Sequence, residues 1–339
     1  MSAAMSVLIP TCNRRPHLER CLEALAGQTL AADQFEVVVV DDGSRDDTPA
    51  FLDAAGARLP FVLRSGRQEN RGPAAARNHG LRLAQAPLVT IINDDTLLAP
   101  AALAQHLRFH TTAPPRAILL GTFRIRPEYK ADLFTAAVDA TTFIFPFCRL
   151  NTRVFLDYPF FITCNTSLSR AAFDSVGPFD ERFPKPAGED IEMGCRLYQA
   201  GWRIRFDPEI LSWHDSLFTP ASYARARLIR GEEDMRFLHY HPDQVRIYQR
   251  HALAFAKTHA VRLQTAWEDY QDYVDSGVRW LERAVAETEA APGPGLGHRA
   301  MHKVMTGLEK VGYLAYALGA GRSPWFGEIM DQVYPQAVF

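Results

Sequence analysis

Short apolar runs alternate with helically spaced apolar positions through the first half of the chain. Residues 6–9 (SVLI) predict a strand, and over 15–26 Leu18, Cys21, Leu22 and Leu25 recur on one helical face. Residues 35–40 (FEVVVV) are almost continuously apolar, which predicts a strand covered on both faces of a parallel sheet. A helix over 48–58, a strand over 61–63, a helix over 72–84 opened by Gly-Pro and a buried strand over 88–92 follow. Strand and helix alternating at this pitch predict βαβ units and a doubly wound α/β sheet.

Beyond Pro100 the pattern predicts a helix to about 110, a strand over 117–123, and an irregular aromatic stretch over 126–160. A second compact set comes next: 161–167 extended, 170–176 and 190–200 helical, 203–206 and 211–214 extended. From about residue 220 the texture is helical only, with patterns over 222–240, 251–289 and 299–318 and a Pro/Gly-rich break at 290–298. The layout predicts an α/β domain over 1–218 and a helical region over 219–339. Arg225, Arg227 and Arg230 read as a solvated charged face, with an anionic ligand as the alternative. The aromatic residues at 143–147 and 158–161 read either as core or as the border of an acceptor cleft.

Composition narrows the class. The chain has 339 residues, 47% hydrophobic and 22% charged, as expected of a globular protein with a substantial core. Lys and Arg number 37 against 39 Asp and Glu, a formal charge of −2, so the basic field of a dedicated nucleic-acid binder is missing. Five scattered cysteines without a CxxC pair make neither a disulfide framework nor a zinc site, and they fit a reducing, cytoplasmic setting. The first fifteen residues lack the pattern of a signal peptide, and no apolar run reaches the roughly 20 residues of a spanning helix. The weakly polar stretch 311–321 reads as a packed helix.

In an open parallel sheet, ligands bind beyond the carboxyl ends of the strands. The first predicted strand runs into Pro10-Thr11-Cys12-Asn13-Arg14, the second into Asp41-Asp42-Gly43-Ser44, and the strand at 88–92 into Asn93-Asp94-Asp95. Each alone is ordinary turn chemistry. Together they put polar and acidic groups from three strands on one rim. Between them, residues 68–78 (QENRGPAAARN) offer small residues for close backbone approach and Arg77 for a phosphate, while Arg71 reads as solvated. A Walker loop and GxGxxG are both absent, which argues against P-loop enzymes and dinucleotide dehydrogenases. Adjacent carboxylates after a buried strand call for a cation, and a hard divalent ion is suited to them. Glu189-Asp190 opens a predicted helix, and Trp213-His214 ends the last extended segment.

In order, SVLIPTCNRRPHLERCLEALAGQT, FEVVVVDDGSRDDT, ENRGPAAARNHG, IINDDTLLAP, ITCNTSLSRAAFDSVGPFDERF, GEDIEMGCRLYQAGWRIRF and WHD resemble the motifs of family 2 glycosyltransferases with the GT-A fold. The resemblance runs over roughly residues 5–215. It implies a GT-A type, Rossmann-like mixed sheet, with 1–95 as the nucleotide-binding half and 96–218 as the acceptor and catalytic half. It implies a UDP-, GDP- or dTDP-sugar donor and an acceptor that is a glycan, a lipid-linked glycan or a small molecule, as in polysaccharide biosynthesis, and it leaves peripheral membrane contact open. Pro10, Thr11, Asn13, Asp42, Arg77, Asn93 and Asp94 would bind the nucleotide sugar. Asn93-Asp94-Asp95 stands in the place of the DxD motif, so Asp95 would hold Mn2+ or Mg2+. His214 matches a histidine that completes the metal shell in some relatives, and a hydrogen bond to a carbonyl is its other reading. Asp190 matches the base of inverting members. The QxxRW motif of processive synthases is missing, with Cys195-Arg196-Leu197 in its place, which implies addition of a single sugar. The rival readings are a nucleotidyltransferase and an inactive sugar-nucleotide-binding protein. The first lacks its glycine-rich N-terminal loop here, and the second would have eroded motifs, yet Asp42, Asp94, Asp95 and Asp190 are all present.

Overall fold

The computed structural model describes residues 3–141 and 152–244, together with Arg279, Glu282, Arg283 and Ala286. The predicted helices over 251–289 and 299–318, the break at 290–298, the 311–321 stretch, the aromatic residues at 143–147 and Cys148 lie outside the described residues, apart from those four positions. The chain divides into two compact units: residues 1–129, 142–184 and 189–216, and residues 130–141, 185–188 and 217–339.

The first unit is built on a mixed sheet. Its strands are β1 (Met5–Thr11), β2 (Phe35–Asp42), β3 (Val62–Gln68), β4 (Leu88–Ile91), β5 (Thr96–Leu98), β6 (Ala117–Ile125), β7 (Val154–Leu156), β8 (Thr166–Ser169) and β9 (Arg203–His214). Their order is β3-β2-β1-β4-β8-β6-β9-β5, with β7 also paired to β9. The first four strands run parallel, and β8 enters antiparallel between β4 and β6. Helices α1 (Arg15–Ala26), α2 (Thr48–Ala55), α3 (Pro73–Leu83), α4 (Ala102–Thr112), α6 (Arg170–Val176) and α7 (Glu189–Gln199) complete the unit. α1 buries Leu18, Cys21, Leu22 and Leu25, the residues its spacing singles out, against Val7, Ile9, Val37 and Val39 of the sheet. β2 is buried at every position, as its unbroken apolar run predicts.

One carboxylate that enters this core is bonded from three sides. Glu36 accepts from Ser6 Oγ (2.6 Å), Arg64 Nε (2.7 Å) and the Gln85 amide (2.6 Å). Burial works against its charge, yet these donors hold its carboxyl below the usual range.

The two extended segments predicted at 203–206 and 211–214 are one strand. β9 pairs with β6 throughout, but the register jumps from Gly121–Asp207 to Thr122–Leu211. Asn165 fills this bulge, donating through Nδ2 to the carbonyls of Thr122 and Ile210, both at 3.0 Å, while its own carbonyl accepts from Gly121 N (2.9 Å). A Cβ on Gly121 would lie 2.3 Å from Asn165 Nδ2, so only glycine leaves room for the amide. Asn165 Oδ1 can only accept, so His106 carries its proton on Nε2 (2.9 Å) and takes the Ser167 hydroxyl on Nδ1 (2.8 Å).

Other boundaries move too. β3 lies later than predicted, α2 ends at Ala55, and of the 161–167 stretch only Thr166 and Ser167 pair as strand, in β8, which runs on to Ser169. β5, β7 and helix α5 (Leu133–Thr141) are not predicted: three residues show no period, and α5 lies inside the aromatic stretch.

The second unit contains α5 and α8 (Pro220–Tyr240). Thr219 and Ser222 form a capping box at the start of α8, as expected for a well-defined helix entry. Tyr223 packs edge-on against Phe134, 6.0 Å between ring centres, and Arg230 pairs with buried Asp234 at 2.9 Å. Among the described residues no helix is long and apolar enough to cross a membrane.

Burial pushes the His106 and His110 imidazoles down to about 4 from the ordinary 6.5. Below pH 6.5 the unfolded chain takes up protons that the folded histidines refuse, so stability should fall as pH drops toward about 4. His106→Gln keeps a donor for Asn165 and should flatten the decline of the urea midpoint between about pH 7 and about pH 5. A decline as steep as that of the native chain would show that His106 does not contribute.

Candidate active site

The carboxyl ends of β1, β2, β3 and β4 share one rim, because these four strands run parallel. Pro10 sits opposite Val40 on β1, beyond the last residue paired with β4, where its missing N–H costs no hydrogen bond on that side. Asn13 adopts a left-handed conformation (φ 55°) and accepts from the Arg45 amide at 2.7 Å while its own amide donates to Ser44 Oγ at 2.8 Å. Asp42 accepts from Gln68 Nε2 (2.8 Å) and from the amides of Arg71 (2.9 Å) and Gly72 (2.8 Å), which fixes the loop after β3. Gly72 is required there twice over: its φ is +86°, and a Cβ would lie 2.0 Å from the Pro184 carbonyl oxygen. A cleft of about 850 Å³ opens between these loops, lined by Cys12, Asn13, Ser44, Arg67 and Asn70 among others.

At the end of β4, Asp94 accepts from Thr11 Oγ1 at 2.8 Å. Arg14 lies across both acids, with Nε 3.0 Å from Asp94 Oδ1 and Nη2 2.5 Å from Asp95 Oδ2. The same Nη2 donates to Ser216 Oγ at 3.1 Å. His214, at the end of β9, brings Nε2 to 3.4 Å from Asp95 Oδ2, and its ring stands edge-on to Phe123. β5 pairs Thr96 with His214, and the Asp215 amide donates to the Asp95 carbonyl at 2.8 Å, which fixes this meeting through the backbone. Burial, with the adjoining Asp95 charge, pushes the Asp94 carboxyl up to about 7, against the pull of Arg14 and Thr11. Asp95 is buried as well, but His214 and Arg14 hold its carboxyl well below the usual range.

Asp190 lies in the first turn of α7, half-buried, and its carboxylate accepts the Ile191 amide at 2.8 Å. Its neighbour Glu189 is buried and pairs with Arg77 at 2.6 Å. Arg77 also reaches Asn93 Oδ1 at 3.3 Å and lies over the Phe179 ring. The structure therefore places Arg77 beneath the rim, tying α3 to the end of β4 and the start of α7, rather than among the residues lining the cleft. Burial, with the charges of Asp190 and Asp95, pushes the Cys164 thiol well up, so it stays protonated and poor as a nucleophile.

Arg14, Asp215 and Ser216 join the site without having been singled out from the sequence. Arg14 stands in the first motif, where its position directly after a strand-end Asn was the available signal. Asp215 anchors three basic and phenolic groups: Arg20, Arg126 (2.6 Å) and Tyr129 (2.7 Å).

Among the described residues no three His, Cys, Asp or Glu side chains converge as a ready metal site. Asp95 Oδ2 and His214 Nε2 do suit two adjacent positions on one six-coordinate ion, whose neighbouring ligands lie roughly 3 Å apart. A carboxylate oxygen with an imidazole nitrogen favours Mn2+ over Ca2+, and substrate phosphates and water would supply the remaining ligands.

This sheet and rim define a GT-A glycosyltransferase fold. The sequence model of Glycosyl transferase family 2 matches residues 6–177, just over half of the 339, and the chain belongs to that family. It is 36% identical over 222 residues to validoxylamine A glucosyltransferase of Streptomyces hygroscopicus subsp. jinggangensis (strain 5008), covering 58% of this chain and 52% of the relative. It is 28% identical over 253 residues to the uncharacterized glycosyltransferase YfnE of Bacillus subtilis (strain 168), covering 62% and 64%. The match thus spans about half the length of the Streptomyces relative. Among solved structures, the mannosyltransferase PcManGT from Pyrobaculum calidifontis, in complex with GDP-Man and Mn2+, is similar at TM-score 0.53 and 21% identity over 99% of this chain and 89% of that one. The S. aureus TarS 1–349 structure in complex with UDP-GlcNAc gives 0.50 and 17% over 95% and 92%.

Arg77→Met should cost about 3–5 kcal/mol by leaving Glu189 buried without its cation. Adding Glu189→Met should recover most of that loss in urea unfolding. A loss below about 1 kcal/mol for Arg77→Met would show that the pair does not hold α7 in place.

Proposed function

We propose that this chain is a metal-dependent, inverting glycosyltransferase that moves one sugar from a nucleotide-diphosphate sugar to a hydroxyl acceptor. The observation that carries this reading is the approach of His214 Nε2 to Asp95 Oδ2, 3.4 Å apart although separated by 214 − 95 = 119 positions. Family membership favours glycosyl over nucleotidyl transfer. Similar structures in complex with GDP-Man and with UDP-GlcNAc support a nucleotide-sugar donor. Residues 1–218 are assigned as the transferase domain and 219–339 as a helical region.

Thr11, Asn13 and Asp42 border the nucleotide, on a strand end shaped by Pro10. Asp42 Oδ1 takes two donors of the 68–72 loop, while Oδ2 takes one and keeps a lone pair for the ligand. Asn93 and Asp94 face ribose and diphosphate, and Arg77 supports them from below. Asp95 and His214 would hold the ion, which supplies Lewis-acid stabilisation of the departing diphosphate. Asp190 accepts the proton of the acceptor hydroxyl as its oxygen attacks the anomeric carbon and the bond to the diphosphate breaks, a contribution of about 10²–10⁴-fold. One displacement inverts the anomeric carbon. Cys164, kept protonated beside Asp190, offers no nucleophile for a double displacement.

One assay tests rate and stereochemistry together. Asp190→Asn should lower kcat by about 10²–10⁴-fold with donor binding nearly intact, and an α-linked donor should give a β-linked product by NMR. More than about a tenth of the native kcat in the variant, or a product of retained configuration, would overturn the mechanism.

EDTA should abolish transfer, and Mn2+ should restore it best among divalent ions. Asp95→Ala should cost more activity than His214→Ala, because the carboxylate offsets charge as well as binding. The Mn2+ concentration for half-activation should rise in His214→Ala, and an unchanged value would remove His214 from the shell.

A further inference from the structure

We propose that Arg14 is a resident counter-ion for Asp94 and Asp95, and that a divalent cation binds Asp95 only as this guanidinium leaves it. The inference rests on the reading of Asp95 as a metal ligand. The Arg14 Nη2 atom sits 2.5 Å from Asp95 Oδ2, the oxygen that His214 also approaches at 3.4 Å. A cation bound to that oxygen would meet the guanidinium at contact distance, and two like charges cannot share a partly buried place at that separation. Ser216 Oγ, 3.3 Å from the same oxygen and bonded to Arg14 at 3.1 Å, marks how fully that side of Asp95 is taken.

Arg14 is suited to leaving. It stands at the junction between β1 and α1, as the residue capping α1, and its side chain is 39% exposed while those of Asp94 and Asp95 are 9% and 11% exposed. The carboxylates are enclosed, and their counter-charge is partly open to solvent. Arg14 also follows Asn13, which lines the neighbouring cleft, so a diphosphate arriving there gives the released guanidinium a bidentate partner. The donor-free protein therefore binds metal weakly, and ion and donor arrive with positive coupling, because the diphosphate takes the charge that Arg14 gives up.

Calorimetric titration of MnCl2 into the donor-free protein tests this without reference to turnover. Arg14→Gln should bind Mn2+ about tenfold or more tightly than the native chain. Arg14→Lys keeps a positive charge in reach and should stay near the native affinity, which separates a role of charge from one of shape. Adding Asp95→Asn to Arg14→Gln should remove the gain. Arg14→Gln binding Mn2+ no more tightly than the native protein, or not at all, overturns the proposal, even where catalysis still requires Asp95 and Mn2+. A gain that persists in the Arg14→Gln, Asp95→Asn double variant overturns the place assigned to the metal instead.

Discussion

Two adjacent carboxylates at the end of a buried strand are the constraint around which the rim is arranged. Asp94 and Asp95 leave β4 with little access to water, and charge in that position has to be met by groups from elsewhere in the chain. Thr11 and Arg14 meet it from the end of β1, and His214 from the end of β9. The requirement spreads one step further, because Asp215 follows His214 and is itself buried between Arg20 of α1 and Arg126 beyond β6. Acids and bases thus alternate across the rim. β1, α1, β4, β6 and β9 are held at this edge by electrostatics as well as by the strand ladder.

The core below meets a different demand, that of a sheet whose direction changes. Inserting β8 antiparallel between β4 and β6, and bulging β9 against β6, leaves backbone carbonyls that the ladder cannot serve. Asn165 serves two of them and is itself held by His106. Glu36 does comparable work at the other side of the sheet, accepting from β1, β3 and the turn before β4. A buried acceptor left without such donors would cost about 1–3 kcal/mol or more, so these residues stabilise the geometry on which the rim depends.

The parts of the fold that were legible in the sequence are those in which one period dominates. α1 declares itself through Leu18, Cys21, Leu22 and Leu25, and β2 through an unbroken apolar run. β5 and β7 have three residues each and exist because β9 pairs with them, so no local signal distinguishes them. β9 looks like two strands because Asp207-Pro208-Glu209 interrupts its pattern at the bulge. The convergence of three strand ends on one rim was legible, since topology alone brings parallel ends together. The partners of the charged side chains were not. Arg77 in sequence is a cation suited to a phosphate, and only the approach of α7 gives it to Glu189. Arg14 in sequence is one of two arginines opening a helix, and its acids lie about eighty positions away.

Burial of the basic partner separates the ion pairs of this rim into two kinds. Arg77 and Glu189 are both almost wholly enclosed, with side-chain exposures of 4% and 3%, so exchange of that pair would strand a charge in the interior. Such a pair fixes the start of α7, and with it Asp190, in one position. Arg14 is the reverse case: its acids are enclosed while its own side chain is 39% exposed. A guanidinium that leaves regains hydration or a phosphate, while the carboxylates it leaves need another cation at once. The same electrostatic need that ties this rim together therefore leaves, in the exchange proposed for Arg14, one point at which a cation could replace the guanidinium without stranding a buried base.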